Sequence, residues 1–270
     1  MVDAAEQMKD RNRLMWSLGD YPTIADFLRP AARAVADACS VGPGMSVLDV
    51  GAGTGNFAVE AAKRGARVIA SDLTPHLIEL GRARTEQEML DIEWHEADAE
   101  DLPFEDEMFD VTASVFGAIF APHADKVVAE MMRVTRPGGV VAMTSWDNDG
   151  YAGQIATMTM EFAPPPPEGV DRPTSWGTEE AARARFEPVA EEVNVGRGTV
   201  TWDFASSEEA REAVETKIPP VVAAKMVMPP ERFEEMMTRY DEIQRRFDRG
   251  EGGRVAVDSE YLLILARKPS

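Results

Sequence analysis

Residues 47–56 read VLDVGAGTGN, a short apolar run followed directly by three alternating glycines. Val47, Leu48 and Val50 are typical of a buried strand, and a helical pattern begins immediately after the glycines. Glycine permits a tight turn and lets a ligand approach the backbone closely. The first N–H groups of the following helix are free to face polar ligand atoms. The stretch therefore predicts a strand–turn–helix unit that binds a ligand.

The spacing of the glycines argues against a dinucleotide. The dinucleotide fingerprint has a third glycine later in the turn, and that position, counted from Gly51, is Asn56. Asp49, two residues before the first glycine, is also unusual for that fingerprint. An NAD-dependent oxidoreductase is therefore the less favoured enzyme hypothesis.

Strand and helix patterns alternate after the glycines. Residues 55–64 predict a helix that ends at Gly65, and residues 136–139, Arg-Pro-Gly-Gly, predict a turn. Apolar runs predict further strands at residues 67–72, 92–96, 109–116 and 140–146. Strands that alternate with helices in this way are the signature of a parallel sheet.

The order of these motifs across residues 47–146 resembles the class I S-adenosylmethionine (SAM)-dependent methyltransferases. Within that family it looks closest to the small-molecule branch that includes the quinone-biosynthesis enzymes. The segment 15–21, Met-Trp-Ser-Leu-Gly-Asp-Tyr, is also similar to a subgroup of actinobacterial proteins. The resemblance implies an α/β fold: a Rossmann-like, seven-stranded, mostly parallel sheet with helices on both faces, a terminal antiparallel hairpin and a helical cap.

The resemblance also implies roles for residues that are ordinary when taken singly. Asp72, about twenty residues after the glycine turn, would take the ribose hydroxyls, although Asp also ends strands as a simple turn residue. Asp98 would accept a hydrogen bond from the adenine amino group, with Ala99 against the ring, although Asp98 alone would be a loop acid. The implied cofactor-binding set is Tyr21, Asp49, Gly51, Ala52, Gly53, Asn56, Asp72, Leu73, Asp98, Ala99 and Ser114.

Methyl transfer requires in-line approach of the acceptor and exclusion of water. A general base matters only when the acceptor must lose a proton. His123, after the fourth strand, is the candidate base, and its alternative role is a polar residue that opens a helix. The expected walls of the acceptor pocket are Trp16, Phe116, Phe120 and Trp146. No cluster suggests a metal ion.

Three segments are expected. Residues 1–41 would form N-terminal helices that act as a cofactor lid, and residues 22–40 would be interrupted or kinked near Pro30. Residues 42–147 would form the SAM-binding core. Residues 148–270 would complete the sheet and carry cap segments at about 148–177 and 205–253.

The last segment has fewer clear signals. Residues 189–204 predict a long strand with a bend or bulge at Gly196 and Gly198. An apolar stripe from Phe233 to Phe247 predicts a cap helix that packs on the sheet, and residues 261–266 predict a final strand.

The formal net charge of -20 disfavours nucleic acid and an anionic membrane surface as partners. The lone Cys39 excludes an intramolecular disulfide. No apolar run predicts a membrane span or a signal peptide, so a cytoplasmic enzyme with a small-molecule substrate is expected. The oligomeric state stays open, and a non-catalytic SAM-binding regulatory protein is the alternative from another class.

Overall fold

The computed structural model describes residues 4–270. Strands in this range are β1 Ser46–Val50, β2 Arg67–Asp72, β3 Ile92–Glu96, β4 Phe109–Val115, β5 Thr135–Trp146, β6 Glu192–Phe204 and β7 Val255–Arg267. Helices in the same range are α1 Ala4–Trp16, α2 Tyr21–Ala38, α3 Asn56–Lys63, α4 Pro75–Gln87, α5 Ala124–Val134, α6 Tyr151–Phe162, α7 Glu179–Phe186, α8 Ser207–Lys217, α9 Pro219–Val227 and α10 Pro230–Phe247. Short 3₁₀ turns lie at Ala118–Phe120 and Pro173–Trp176.

The strands form one sheet in the order β3-β2-β1-β4-β5-β7-β6. β1 to β5 run parallel, whereas β7 pairs antiparallel with both β5 and β6. The strand order reverses between β1 and β4, and ligands bind such sheets beyond the carboxyl ends of the strands at this point. This confirms the seven-stranded, mostly parallel fold. The terminal antiparallel pair is present, but α8, α9 and α10 separate β6 from β7, so the pair is not a hairpin.

Alternation along the strands divides the core between the two faces of the sheet. On β1, Leu48 and Val50 pack in a cluster with α5 and α7. Val47, on the opposite face, packs in a cluster with α2 and α3. Helices therefore cover both faces, as expected for parallel strands that are buried on both sides.

A separate apolar cluster forms the cap. It joins α6, α8, α9 and α10 with the ends of β6 and β7 and with the first half of α2. The stripe predicted from Phe233 to Phe247 lies here, with Met236, Met237 and Tyr240 buried. The cap thus stands over the carboxyl ends of β4 and β5, where Phe116 and Trp146 contact it.

The structure corrects two local predictions and refines a third. Pro30 does not interrupt α2; it lies on the exposed side of the helix, where water can bond the carbonyl that the proline leaves without a partner. Residues 136–139 belong to β5 but bulge out of its ladder with β4, and Gly138 has the positive φ of 71° that the third position of the predicted turn requires. Gly196 and Gly198 keep a regular ladder with β7. A Cβ on Gly198 would overlap the Tyr261 ring, so glycine makes room for that ring.

No helix within residues 4–270 is both long enough and apolar enough to cross a membrane.

Candidate active site

The three glycines of the turn all have positive φ angles, at 64°, 57° and 83° for Gly51, Gly53 and Gly55. L-residues rarely adopt this conformation. A Cβ on Gly51 would lie 2.9 Å from the Gly117 Cα atom, and one on Gly53 would lie 2.8 Å from the Tyr21 ring. The turn is therefore tightly packed, and α3 begins directly after it.

Asp49 ties the turn to α3. Its Oδ2 atom accepts a hydrogen bond from the Ala58 N–H at 2.9 Å, and the carboxyl group is buried. Burial raises the pKa of Asp49 to about 7, an effect that the Ala58 hydrogen bond only partly opposes. Asp49 thus carries a proton more readily than an ordinary carboxyl group does.

Asp72, at the end of β2, holds the turn from the other side. Its two carboxyl oxygens accept hydrogen bonds from the N–H groups of Gly53 and Thr74, both at 2.8 Å. Burial raises the pKa of Asp72 although these hydrogen bonds lower it. Each carboxylate oxygen still has a second lone pair, so Asp72 can accept hydrogen bonds from a ligand as well.

Asp98 is held by an ammonium group from α1. The Lys9 Nζ atom lies 2.5 Å from Asp98 Oδ2, 3.0 Å from Glu100 Oε2 and 3.1 Å from Glu6 Oε1. The Lys9 side chain is only 7% exposed. Burial by itself would lower the pKa of Lys9, but hydrogen bonds to Asp98 and Glu100 raise it overall. The contact fixes α1 across the end of β3.

A cleft runs along the carboxyl ends of β1, β2 and β3, and we call it the glycine cleft. Of the predicted cofactor residues, those that line it are Tyr21, Gly51, Gly53, Asp72, Leu73, Asp98 and Ala99. Asp49, Ala52 and Asn56 border a small void next to Tyr21. Ser114 borders neither space in the described chain; its Oγ atom accepts a hydrogen bond from the Ala118 N–H at 2.8 Å.

A larger cavity of about 240 Å³ lies between the sheet edge and the cap, and we call it the aromatic cavity. All four residues expected at the acceptor pocket line it: Trp16, Phe116, Phe120 and Trp146. The Phe116 and Trp146 rings stack with centroids 4.0 Å apart, and Trp16 meets Phe120 edge-on at 4.8 Å. None of the described residues that line this cavity is Asp, Glu, His, Lys or Arg.

The glycine cleft and the aromatic cavity share a wall. Trp16, Tyr21, Phe116 and Phe120 line both spaces. Phe116 has a positive φ angle of 61°, a strained conformation for a bulky residue, and its N–H donates to Thr144 Oγ1 at 3.0 Å. Strain of this kind tends to persist at functional sites, where the surrounding structure holds it in place.

His123 lies at the N-terminus of α5 and lines neither space among the residues described. Its backbone N–H donates to Glu100 Oε1 at 2.6 Å, and its Nδ1 atom lies 3.0 Å from Glu100 Oε2. Its imidazole is thus engaged with a buried carboxyl group outside the cavity. Nor do residues 4–270 contain a cluster of His, Cys, Asp and Glu that could hold a metal ion.

No sequence signal marks three of the residues that border these spaces. Lys9 lies in a polar helix with no motif to mark it, far along the chain from Asp98. Tyr151 and Tyr240 both line the aromatic cavity. The sequence pattern assigns Tyr240 only to the apolar stripe, because a helical pattern does not show which buried side chain borders a cavity.

Comparison with known proteins agrees with this geometry. A family profile described as a methyltransferase domain matches residues 47–139. The "Uncharacterized protein Mb1438c" of Mycobacterium bovis is 33% identical over 261 residues, covering 95% of this chain and 94% of that protein. The ubiquinone/menaquinone biosynthesis C-methyltransferase UbiE of Brucella abortus is 43% identical over 102 residues, covering 36% of this chain and 38% of that enzyme.

The chain belongs to the class I SAM-dependent methyltransferases. A phosphoethanolamine N-methyltransferase from Haemonchus contortus, solved with phosphomonomethylethanolamine and S-adenosylhomocysteine, has a similar fold with a TM-score of 0.54 and 18% identity. That similarity covers 89% of this chain and 53% of the Haemonchus chain. The matched methyltransferase domain and the similarity to UbiE make the protein a SAM-dependent methyltransferase.

Proposed function

We propose that this methyltransferase acts on a small, uncharged and largely apolar acceptor that binds in the aromatic cavity. The observation that carries the proposal is the absence of charged side chains from the described lining of that cavity. Burying a charge without a partner is very costly, so a charged acceptor would need a counter-charge there. Aromatic walls such as the stacked Phe116 and Trp146 favour an apolar ligand instead.

We place SAM in the glycine cleft. The support is that Gly51, Gly53, Asp72 and Asp98 all line this cleft, at the carboxyl ends of the parallel strands. Asp72 and Asp98 would bind the ribose hydroxyls and the adenine amino group, as the family resemblance implies. SAM supplies an electrophilic methyl group when bound. The protein's task is therefore to orient the two substrates and to exclude water.

The shared wall is where the two substrates would meet. Trp16, Tyr21, Phe116 and Phe120 border both spaces, so an acceptor in the aromatic cavity would approach the donor between these rings. Because the rings are packed edge-on or stacked, they leave little room for water beside the reacting atoms. We propose that these four residues align the acceptor for in-line attack.

The cavity offers no strong base. The ionisable residues in its described lining are tyrosines, and burial raises the pKa of Tyr21, Tyr151 and Tyr240, which keeps them protonated near neutral pH. The candidate base His123 is bound to Glu100 outside the cavity. We therefore propose an acceptor atom that is nucleophilic without the help of a protein base.

This chemistry differs from that of the Haemonchus enzyme, whose ligand carries a phosphate group. A phosphate would require cations that the described lining of the aromatic cavity does not provide. The UbiE match supports the cofactor side but spans too little of the chain to define the acceptor. A non-catalytic SAM-binding role is disfavoured, because it would not require an apolar cavity beside the cofactor cleft.

The test is a methyl-transfer assay with paired acceptors. Purified enzyme and SAM are incubated with neutral aromatic amines and with their carboxylated or phosphorylated counterparts, and S-adenosylhomocysteine is measured by mass spectrometry. We expect turnover only with neutral members. Ala156→Phe, which fills the cavity from α6, should abolish turnover while SAM affinity is unchanged. A preference for the charged counterparts, or full turnover by Ala156→Phe, would refute the proposal.

A further inference from the structure

The lining of the aromatic cavity includes a few uncharged polar side chains, among them a pair of tyrosines from two cap helices. Tyr151 opens α6 and Tyr240 lies within α10, and their hydroxyl oxygens are 3.1 Å apart. Both residues are buried and both line the cavity. Neither lines the glycine cleft, so the pair lies away from the wall where the methyl group would cross.

The two hydroxyl groups can donate two hydrogen bonds, but only one forms between them. Burial raises the pKa of Tyr240 to about 12 and that of Tyr151 well above its ordinary value, so both hydroxyls keep their protons. The Tyr151 hydroxyl donates to Tyr240. In the chain from residue 4 onward, the Tyr240 hydroxyl makes no second hydrogen bond. One buried O–H group is therefore left without a protein acceptor.

An unsatisfied buried donor is destabilising, because it loses its hydrogen bonds to water without replacing them. Two phenylalanines could join α6 and α10 through apolar contact without that cost, as the Tyr151–Phe247 ring contact at 6.0 Å already does in part. Buried polar groups that lack a protein partner require an explanation, and a ligand that completes the hydrogen bond is one. The location at the wall of a largely apolar cavity favours that explanation.

We infer that Tyr240, oriented by the hydrogen bond from Tyr151, selects acceptors that carry a neutral oxygen acceptor group. The ligand class is an apolar molecule with a carbonyl, ether or hydroxyl oxygen at the end remote from the atom that receives the methyl group. This inference rests on the proposed function, because it requires the acceptor to occupy the aromatic cavity. Tyr240 would set both the choice of acceptor and the depth at which it binds.

The experiment compares two ligands of the same shape. Methyl naphthyl ketone and isopropenylnaphthalene differ only in a carbonyl oxygen that replaces a methylene group. Their dissociation constants are measured by calorimetry with S-adenosylhomocysteine present, on the wild type, Tyr240→Phe and Tyr151→Phe. The wild type should bind the ketone roughly tenfold more tightly, as expected for one hydrogen bond of about 1–1.5 kcal/mol.

In Tyr240→Phe the two ligands should bind equally, because the donor is gone. Tyr151→Phe should retain most of the preference for the ketone, since Tyr240 keeps its proton. Thermal unfolding and SAM affinity report whether the variants are folded, and a structural role alone would not change the ratio between the ligands. A ratio that survives in Tyr240→Phe, or a wild type that binds both ligands equally, would overturn the inference and leave the cavity proposal standing. Failure of the wild type to bind either ligand would overturn both.

Discussion

Lys9→Met is the substitution that best separates the role of α1 from that of the sheet. It keeps the length of the side chain but removes the ammonium group that lies 2.5 Å from Asp98 and 3.0 Å from Glu100. The Glu100 side chain is 2% exposed, so its carboxylate would lose its main counter-charge in a buried place. The substitution should weaken the docking of α1 and leave the stability of the sheet unchanged, because Lys9 belongs to α1.

The free-energy cost of Lys9→Met can be estimated from the burial of the ion pair. Removing one partner of a buried ion pair costs about 3–5 kcal/mol. The Asp98 side chain is 23% exposed, and Lys126 lies 4.0 Å from Glu100, so part of the lost charge is compensated. We therefore expect the lower limit, about 3 kcal/mol, which corresponds to roughly a 100-fold change in the docking equilibrium.

Hydrogen exchange measures this directly. Amides of residues 4–16 should exchange roughly 100-fold faster in Lys9→Met, whereas those of β1 and β4 should be unchanged. The matched control is Lys126→Met, which removes the same charge near the same Glu100 carboxylate from a side chain that is 60% exposed. Exposed ion pairs contribute about 0–1 kcal/mol, so the control should behave like the wild type. Equal exchange in the two variants would refute the argument from burial.

Three further predictions concern the glycine turn and the two carboxyl groups beside it. Gly53→Ala places a Cβ atom at a φ of 57° and 2.8 Å from the Tyr21 ring, so it should lower stability by about 1–2 kcal/mol and weaken SAM binding in calorimetry. Adding Tyr21→Ala should relieve the collision but not the backbone strain, and full recovery would contradict this. Asp72→Asn should weaken SAM binding by about 1–3 kcal/mol, since an amide cannot accept from both Gly53 and Thr74; unchanged affinity would contradict the ribose role. Burial raises the pKa of Asp49 from 3.8 to about 7, so the folded state holds this proton more tightly than the unfolded state. Its contribution to stability is thus present below about pH 4 and is lost as the pH rises towards 7, by ~4 kcal/mol at most. Denaturant unfolding of Asp49→Asn against wild type should show that difference, and parallel pH profiles would exclude it.

The sheet could be predicted from the sequence because its signals are local. β1, the glycine turn and α3 are adjacent in the chain, and the strand order follows from the family that their spacing resembles. The pairing of residues 136–139 with the end of the chain could not be predicted, for the opposite reason. Gly138 bonds to Lys268, from the far end of the chain, and no local pattern indicates that pairing.

The same distinction between local and long-range contacts explains which site residues could be predicted. Asp72 and Asp98 follow strands, so their positions on the carboxyl edge could be predicted from the strands alone. Lys9 reaches Asp98 only after α1 folds back over the sheet, and Tyr151 meets Tyr240 only after α6 packs on α10. Contacts of that kind depend on how helices dock. Hydrophobic periodicity identifies the buried face of a helix but not the element against which that face packs.

The two spaces are coupled through α1 and α2. Trp16 ends α1 and Tyr21 begins α2, and both line the glycine cleft and the aromatic cavity. The hydrogen bond from Asn12 Nδ2 to the Phe120 carbonyl, 3.1 Å long, attaches α1 to the same wall. Because docking of α1 on Asp98 completes both spaces, loosening it should weaken the binding of donor and acceptor together. Lys9→Met should then raise the KM for both substrates, whereas a residue confined to the cap, such as Ala156, should affect the acceptor alone.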